Sequence, residues 1–344
     1  MERAFDMKTQ TIVFTAPGIA EIQTSEVREL QPEEVLVKLA VSTISSGTER
    51  ANLIGEPNVS IMEHSDVAHF PRISGYSSAG VVEKVGNGVS EFRAGDRVAL
   101  SWSTHSKYVI AHKNNVHRIT DSQTPFEEAA LWHIATFPMA AIRKCRLEIG
   151  ESAIVMGLGV LGLAAVMLLR CAGAAPVIAV DPDESKRKQA LELGADYAFD
   201  PFAPNFADDV KRVTDGGANV AIEVTGNGGA LDGVLDCMKQ YGRVALLGCT
   251  RNSDFSIDYY HKVHGPGISL IGAHTLARPG GESSPGLWTT HDDVMAMQKL
   301  YQVGRLDLRK MVQETHTPAE APQVYTRLAN EKIFPVVQFD WREV

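Results

Sequence analysis

No two of the four cysteines, Cys145, Cys171, Cys237 and Cys249, are spaced as C-x-x-C. No apolar run approaches the ~18 residues of a membrane-spanning helix, and positive charge is in deficit, with a formal net charge of −9. Each shortage closes a class of function. The cysteines cannot assemble a structural zinc site and are expected to be small buried side chains of a reducing compartment. A transmembrane helix is not expected. The opening residues MERAFDM lack the apolar centre of a secretory signal, so the expected location is the cytoplasm. The acidic balance argues against nucleic acid and anionic membranes as partners. Internal repeats and low-complexity stretches are also missing. What remains is a chain of ordinary globular composition, 44% hydrophobic and 22% charged, and at 344 residues two domains are expected.

The stretch 152–181 organises that chain. An apolar run at 153–156 is long enough for a buried strand. Gly157, Gly159 and Gly162 then make G-x-G-x-x-G, and 160–171 is an apolar helical pattern ended by Gly173. A second apolar run, 176–180, is closed by Asp181, 24 residues after Gly157. In a strand–turn–helix–strand context these residues have separate tasks. Gly157 permits the tight turn, Gly159 lets a pyrophosphate approach the backbone, and Gly162 lets the helix pack on the sheet. The helix start, with Val160 and Leu161, offers free N–H groups to phosphates. Asp181 accepts hydrogen bonds from ribose hydroxyls and repels a 2′-phosphate, which favours NAD(H) over NADP(H). Lys186 and Arg187 follow it, either touching the adenosine or forming a solvated helix face.

Before this stretch the pattern is β-rich. Residues 11–15 and 20–24 flank Pro17-Gly18 as a hairpin, and strands are expected at 35–44, 80–85, 96–100, 108–111 and 116–119. Residues 45–60 read as loop with at most one helical turn, and 61–70 show no period. A helix is expected at 127–145, broken or kinked near Pro138. Beyond it β and α runs alternate, with a helix over 230–240, which predicts a parallel doubly wound sheet. Helices at 292–303 and 319–330 and a strand at 336–341 follow.

A β-rich start, an inserted nucleotide domain and a returning end resemble the medium-chain dehydrogenase/reductase superfamily. Ser46-Gly47-Thr48-Glu49 is similar to its C-G-[ST]-D turn, and Gly75–Gly80 with Val85-Gly86 to its G-H-E-x-x-G…V-G segment. Gly95-Asp96-Arg97-Val98, Val224-Thr225-Gly226 and the GRVALLG run at 242–248 match further elements. SSGTER and GYSS resemble most the branch containing the hydroxyethyl-bacteriochlorophyllide dehydrogenase. The resemblance implies an α/β protein with a GroES-like β-rich catalytic domain (1–133), a Rossmann doubly wound domain (134–274) and a return to the catalytic domain (275–344). It also implies where the chain departs. Ser46, Tyr76 and Trp132 stand where zinc enzymes of the family hold their metal, and a hydroxyl, a phenol and an indole do not make a zinc site. The expectation is therefore a zinc-free member with no metal.

The candidate catalytic residues are Ser46, Thr48, Glu49, Tyr76 and His133. Thr48 keeps a relay hydroxyl that can bond the substrate oxygen, unless it only forms the turn. Tyr76 can donate to a carbonyl oxygen and recover the proton, or merely fill the metal's space. Ser46 can add a donor. Glu49 serves as a base or, as an acid at this position usually does, makes a structural ion pair. His133 is a relay or a packed histidine at a helix start. Candidate cofactor contacts are Thr136, Gly157, Gly159, Val160, Leu161, Gly162, Asp181, Lys186, Val224, Thr225, Leu247, Gly248 and Ala273. His261, His264 and His274 tempt a metal reading but lie far in sequence from the motif residues. The expected reaction is NAD(H)-dependent interconversion of an alcohol and a carbonyl on a small-molecule substrate. Loops 46–70 and 276–290 would bind it, and the polar second loop suits a polyol or sugar derivative. The rivals are reduction of an activated C=C bond and a non-catalytic nucleotide-binding protein. Asp181 speaks against the first, which would favour NADPH, and the retained Thr48 and Glu49 against the second. An apolar strand edge near 269–274 predicts a homodimer or homotetramer.

Overall fold

The computed structural model describes residues 7–56, 69–251 and 253–344. Residues 57–68, which include most of the expected 61–70 stretch and part of the expected 46–70 substrate loop, lie outside the described residues, as does nearly all of the 1–7 opening. The chain begins with β1 (Lys8–Ala16), β2 (Ile19–Glu26), β3 (Glu34–Thr43), α1 (Ser46–Ile54), β4 (Arg72–Ile73), β5 (Ser77–Val85), β6 (Arg97–Ser101), β7 (Tyr108–His112) and β8 (Val116–Arg118). It continues with α2 (Phe126–Lys144), β9 (Ala153–Met156), α3 (Val160–Ala172), β10 (Val177–Val180), α4 (Glu184–Glu192), β11 (Tyr197–Phe199) and α5 (Phe206–Val213). Then come β12 (Ala218–Glu223), α6 (Gly228–Asp236), β13 (Met238–Leu246), β14 (Ser269–Gly272), α7 (Thr290–Gln302), β15 (Glu314–His316), α8 (Ala321–Asn330) and β16 (Val337–Asp340).

Two compact units form. The first comprises Met1–Ile134, Met297–Gln302 and Val312–Val344, the second Ala135–Ala296 and Val303–Met311. In the first, β1 and β2 make the expected hairpin around Gly18, whose φ of 77° is a left-handed value that favours glycine. A larger sheet runs β15-β16-β3-β5-β6-β8, with β7 also on β3. Its alternating buried positions meet a core that includes Phe14, Leu39, Tyr325, Phe339 and Trp341. The C-terminal strand β16 pairs antiparallel with β3.

The second unit is a parallel sheet in the order β11-β10-β9-β12-β13-β14, alternating in sequence with helices. The register aligns the carboxyl ends. Met156 lies beside Val180 and Glu223, Leu246 beside Glu223, and Gly272 beside Leu246. The residues that follow each strand therefore emerge along one edge, and the strand order reverses at β9, where such sheets leave a ligand crevice.

Several local expectations are corrected. The segment after β3 is not loop with one turn but α1, stopped by Gly55 in the left-handed conformation at φ 76°. Helix α2 runs unbroken through Pro138. The expected helix at 230–240 stops at Asp236. Cys237 caps it, and Met238 already pairs in β13, because the chain must return to the sheet there. Residues 275–296, expected to return to the first domain, belong to the second unit. Arg278 and Asp293 pair within it, and Arg143 reaches both Asp293 and the ring of Trp288. Not all cysteines are buried. Cys145 and Cys237 are, and burial pushes their thiols up to about 12, but Cys171 is half-buried and Cys249 exposed.

Candidate functional site

In the second unit, the turn after β9 is built from backbone. Gly157 has φ 97°, and a Cβ there would meet the Thr225 methyl at 2.7 Å. Gly162 has no room at all, since a Cβ would sit 1.9 Å from the Gly157 carbonyl oxygen. Gly159 is the opposite case, with nothing within 4 Å of the corresponding point. It starts α3, whose first internal bond is Leu163 N–H to the Gly159 carbonyl at 2.9 Å. The N–H groups of Val160, Leu161 and Gly162 therefore have no acceptor within the helix and face an open approach, a cradle for an anion.

Asp181 is buried beside this turn. Its carboxylate accepts from Leu158 N–H and from Asp183 N–H, each at 2.9 Å, and Lys186 Nζ stands 4.0 Å away. Two of about four lone-pair positions are thus used, and the rest suffice for two ribose hydroxyls. Arg187 folds back onto the carbonyl oxygens of Asp181 and Pro182, at 2.7 and 2.9 Å. Further along the edge, Glu223 accepts from Thr225 N–H at 2.7 Å, from Gly226 N–H and from the Thr225 hydroxyl, which fixes the Val224–Gly226 turn. Burial pushes the Glu223 carboxyl above its ordinary value. Leu247 and Gly248 donate to the Glu223 carbonyl, each at 2.9 Å, and Ala273 donates to the Leu246 carbonyl at 3.1 Å. Thr136 is buried on α2, with its carbonyl oxygen held by Arg278 at 2.7 Å. Sequence reasoning missed Glu223, Arg278 and Asp293. Glu223 fixes a backbone turn, Arg278 holds a carbonyl of α2, and Asp293 pairs with Arg143 and Arg278; none of them carries a motif.

In the first unit, β3 delivers the chain to Ser45, and α1 then carries Ser46, Thr48 and Glu49 on its first turn. Ser46 and Thr48 are half-buried and Glu49 fully buried. Tyr76, just before β5, donates its hydroxyl to Ser45 rather than to Ser46. Ser45 was not singled out in the sequence, although it adjoins the motif. The Ser77 hydroxyl donates to the Ala130 carbonyl at 2.7 Å, as the Thr43 hydroxyl does at 3.0 Å, which holds α2 against these strands. His133 lies well inside α2, not at a helix start. Its ring meets Tyr76 edge-on at 5.8 Å and Trp102 edge-on at 4.9 Å. Trp102 also lies 6.0 Å from the Tyr76 ring. It is 45% exposed with φ 56°, a backbone conformation that costs a bulky residue strain. It too was missed, for nothing in a sequence marks a strained aromatic.

Glu49 is not placed as a free base. Its carboxylate accepts from Ser45 N–H at 2.8 Å and from the Tyr325 hydroxyl at 2.5 Å, and pairs with His105 Nε2 at 3.1 Å. Its carboxylate is thus engaged in a structural pairing, one of the two roles expected for it. A carboxylate in a dry interior is tolerable only with such partners. Glu49 also holds the Tyr325 phenol well above its ordinary range, after burial, the larger cause.

Of the residues that the resemblance sets at metal positions, Trp132 is fully buried, its indole N–H donating to Glu128 at 3.2 Å, while Ser46 and Tyr76 are half-buried and present hydroxyl oxygens. His261 and His264 share the turn Tyr260–His264, where His261 bonds Asp258 at 2.8 Å. Among the described residues no group of three or more His, Cys, Asp or Glu is arranged to hold a metal ion, and no helix is long and apolar enough to cross a membrane.

Comparison with known proteins finds two matching families, "Alcohol dehydrogenase GroES-like domain" over residues 31–127 and "Zinc-binding dehydrogenase" over 160–280. L-threonine 3-dehydrogenase of Thermococcus kodakarensis is 28% identical, over 89% of this chain and 90% of that protein. D-guloside 3-dehydrogenase of Escherichia coli K12 is 23% identical, over 93% of this chain and 96% of that protein. Among solved structures, an alcohol dehydrogenase of Escherichia coli CFT073 complexed with NADH superposes with a TM-score of 0.80 at 16% identity, covering 97% of this chain and 99% of that one.

Proposed function

We propose, from the premise that the chain belongs to the medium-chain dehydrogenase/reductase superfamily and is one of its oxidoreductases, that it interconverts an alcohol and a carbonyl with NAD(H) and without zinc. The observation that supports this reading is the Tyr76 phenol donating to the Ser45 hydroxyl at the start of α1, beside the turn that the resemblance sets at a metal position.

The glycine turn and its surroundings fit a dinucleotide. The N–H groups of Val160, Leu161 and Gly162 would hold the pyrophosphate, Asp181 the ribose hydroxyls, and Thr136, Val224, Thr225, Leu247, Gly248 and Ala273 the remainder. Bound NAD supplies a hydride acceptor and NADH a hydride donor. The chain's own residues handle the substrate oxygen. With no Lewis acid, the charge developing on that oxygen is stabilised by hydrogen bonds from Thr48 and Tyr76, and the Tyr76 phenol gives up or recovers the proton. Ser45 accepts a hydrogen bond from the phenol while no substrate is present and so keeps the hydroxyl aimed. Trp102 and His133 pack their rings beside the phenol and limit the positions it can take. A polyol or sugar derivative is the favoured substrate class. Two relatives oxidise, by name, a hydroxyl on a polar carbon skeleton, and the 276–290 loop is polar. For assembly we favour a homodimer or homotetramer through β14, the last strand of its sheet, whose Leu270 is exposed.

The test is substitution of the two donors. Losing one well-aimed donor costs about 10²–10³ in turnover in other enzymes. Thr48→Val or Tyr76→Phe is expected to lower kcat by at least ~10-fold, with NAD affinity unchanged. Wild-type kcat in both folded variants contradicts the assignment.

A further inference from the structure

One buried polar cluster touches both arms of this candidate site without facing the substrate oxygen. Glu49, His105 and Tyr325 are fully buried in the first unit. Glu49 reaches the site through Ser45, whose N–H it accepts at 2.8 Å and whose hydroxyl receives the Tyr76 phenol. His105 reaches it from the other side. Its backbone N–H donates to the Ser74 carbonyl at 3.1 Å, and its ring lies flush against Gly75. A Cβ on Gly75, which has φ 101°, would stand 2.8 Å from the His105 Cδ2. The residue after Gly75 is Tyr76.

The histidine is fully partnered in one tautomer. Ser42 Oγ accepts the Trp341 indole N–H at 2.9 Å, so its own proton is available to His105 Nδ1 at 2.7 Å, which leaves Nε2–H to donate to Glu49. The cluster is therefore satisfied throughout, and a satisfied buried network holds a geometry more firmly than apolar packing does. Burying it is not in itself a source of stability, because apolar residues of like volume often serve as well.

We infer that the Glu49–His105 pair, held by Tyr325, is a positioning element of the reaction: it sets the distance between Ser45 at the start of α1 and Tyr76 beyond Gly75, and so fixes the hydrogen bond of the Tyr76 phenol. The inference rests on Tyr76 as the proton-carrying group of the proposed function. It goes further by assigning three residues that meet neither substrate nor cofactor.

The test uses the full-length protein with His105→Gln and Tyr325→Phe, the second deleting one hydroxyl only. Turnover, NAD affinity and the titration of the Tyr76 phenol, followed by NMR on ring-labelled tyrosine and assigned with Tyr76→Phe, are compared with wild type. The expected result is a kcat at least ~10-fold lower with NAD affinity within about 2-fold, and a Tyr76 titration midpoint moved by roughly half a pH unit or more. A cluster that only fills space leaves that midpoint in place. Wild-type kcat in the folded variants, an unmoved Tyr76 titration, or failure of both variants to fold each overturns the inference. If Tyr76→Phe itself leaves turnover intact, the functional proposal fails instead. The NMR comparison needs no turnover and still decides the positioning claim.

Discussion

The glycine turn after β9 and the hydroxyl cluster at α1 are both candidate sites, but they are made of different material. The first is backbone. Its donors are N–H groups at a helix start, and its shape is set by where side chains are missing, at Gly157, Gly159 and Gly162. The second is side chain. Ser45, Tyr76, Trp102 and His133 come from four separate segments, and of their supports Glu49, His105 and Tyr325 the last adds a fifth. A backbone site tolerates almost any side chain that keeps the path of the chain. A side-chain site is rewritten by a few substitutions.

The largest effect should come from the backbone site. Gly162→Ala places a Cβ on the Gly157 carbonyl oxygen, a contact no flexible side chain can relieve. NADH affinity measured by calorimetry is expected to fall at least ~100-fold, about 2.7 kcal/mol. Affinity within a few-fold of wild type would mean that the turn yields, and the contrast with the side-chain site would weaken. The loss of turnover in Thr48→Val and Tyr76→Phe ranks next and sharpens the comparison from the other side, since there cofactor affinity should stay level.

A smaller effect concerns a side chain beside the backbone site. Asp181 should make NAD(H) bind more tightly than NADP(H), and Asp181→Gly should raise NADP(H) affinity by ~10-fold, or about 1.4 kcal/mol. Equal affinities in the wild type would remove Asp181 from the cofactor site.

The smallest lies at β15. The Arg327 guanidinium, then His316, hold the Glu314 carboxyl at about 2 instead of its ordinary 4.5. A depressed carboxyl stabilises the fold above its unfolded pKa, and that contribution disappears as pH falls from about 4.5 towards 2. The pair is about a third exposed and is worth no more than ~1 kcal/mol. Arg327→Met should lower Tm by roughly 1–3 °C at pH 7, with the difference shrinking as the pH is taken down to 3. A difference independent of pH would show that packing, not charge, is lost.

The same contrast explains what the sequence alone could say. The Rossmann turn, its acid and the alternating strands were legible because each is written within some thirty consecutive residues, as spacing and periodicity. Gly157, Gly162 and Asp181 stand where local pattern placed them. The cluster at α1 was legible only in part. Tyr76 and Thr48 could be named from motif position, but the phenol's partner is Ser45, one residue before the motif, and the pairing of Glu49 spans 56 residues to His105 and 276 to Tyr325. Contacts of that separation are set by tertiary packing and leave no local period. The helix end at Asp236 was misread because an apolar run with no glycine or proline stop suits helix and buried strand alike.

The central claim is that hydroxyls, without a metal, stabilise the substrate oxygen in the proposed reaction. The most direct measurement is elemental analysis of the purified protein together with its turnover before and after chelation. Zinc well below one per chain, with kcat unchanged by the chelator, is the predicted result. One zinc per chain, lost together with activity on chelation and regained with it on re-addition, would contradict the account.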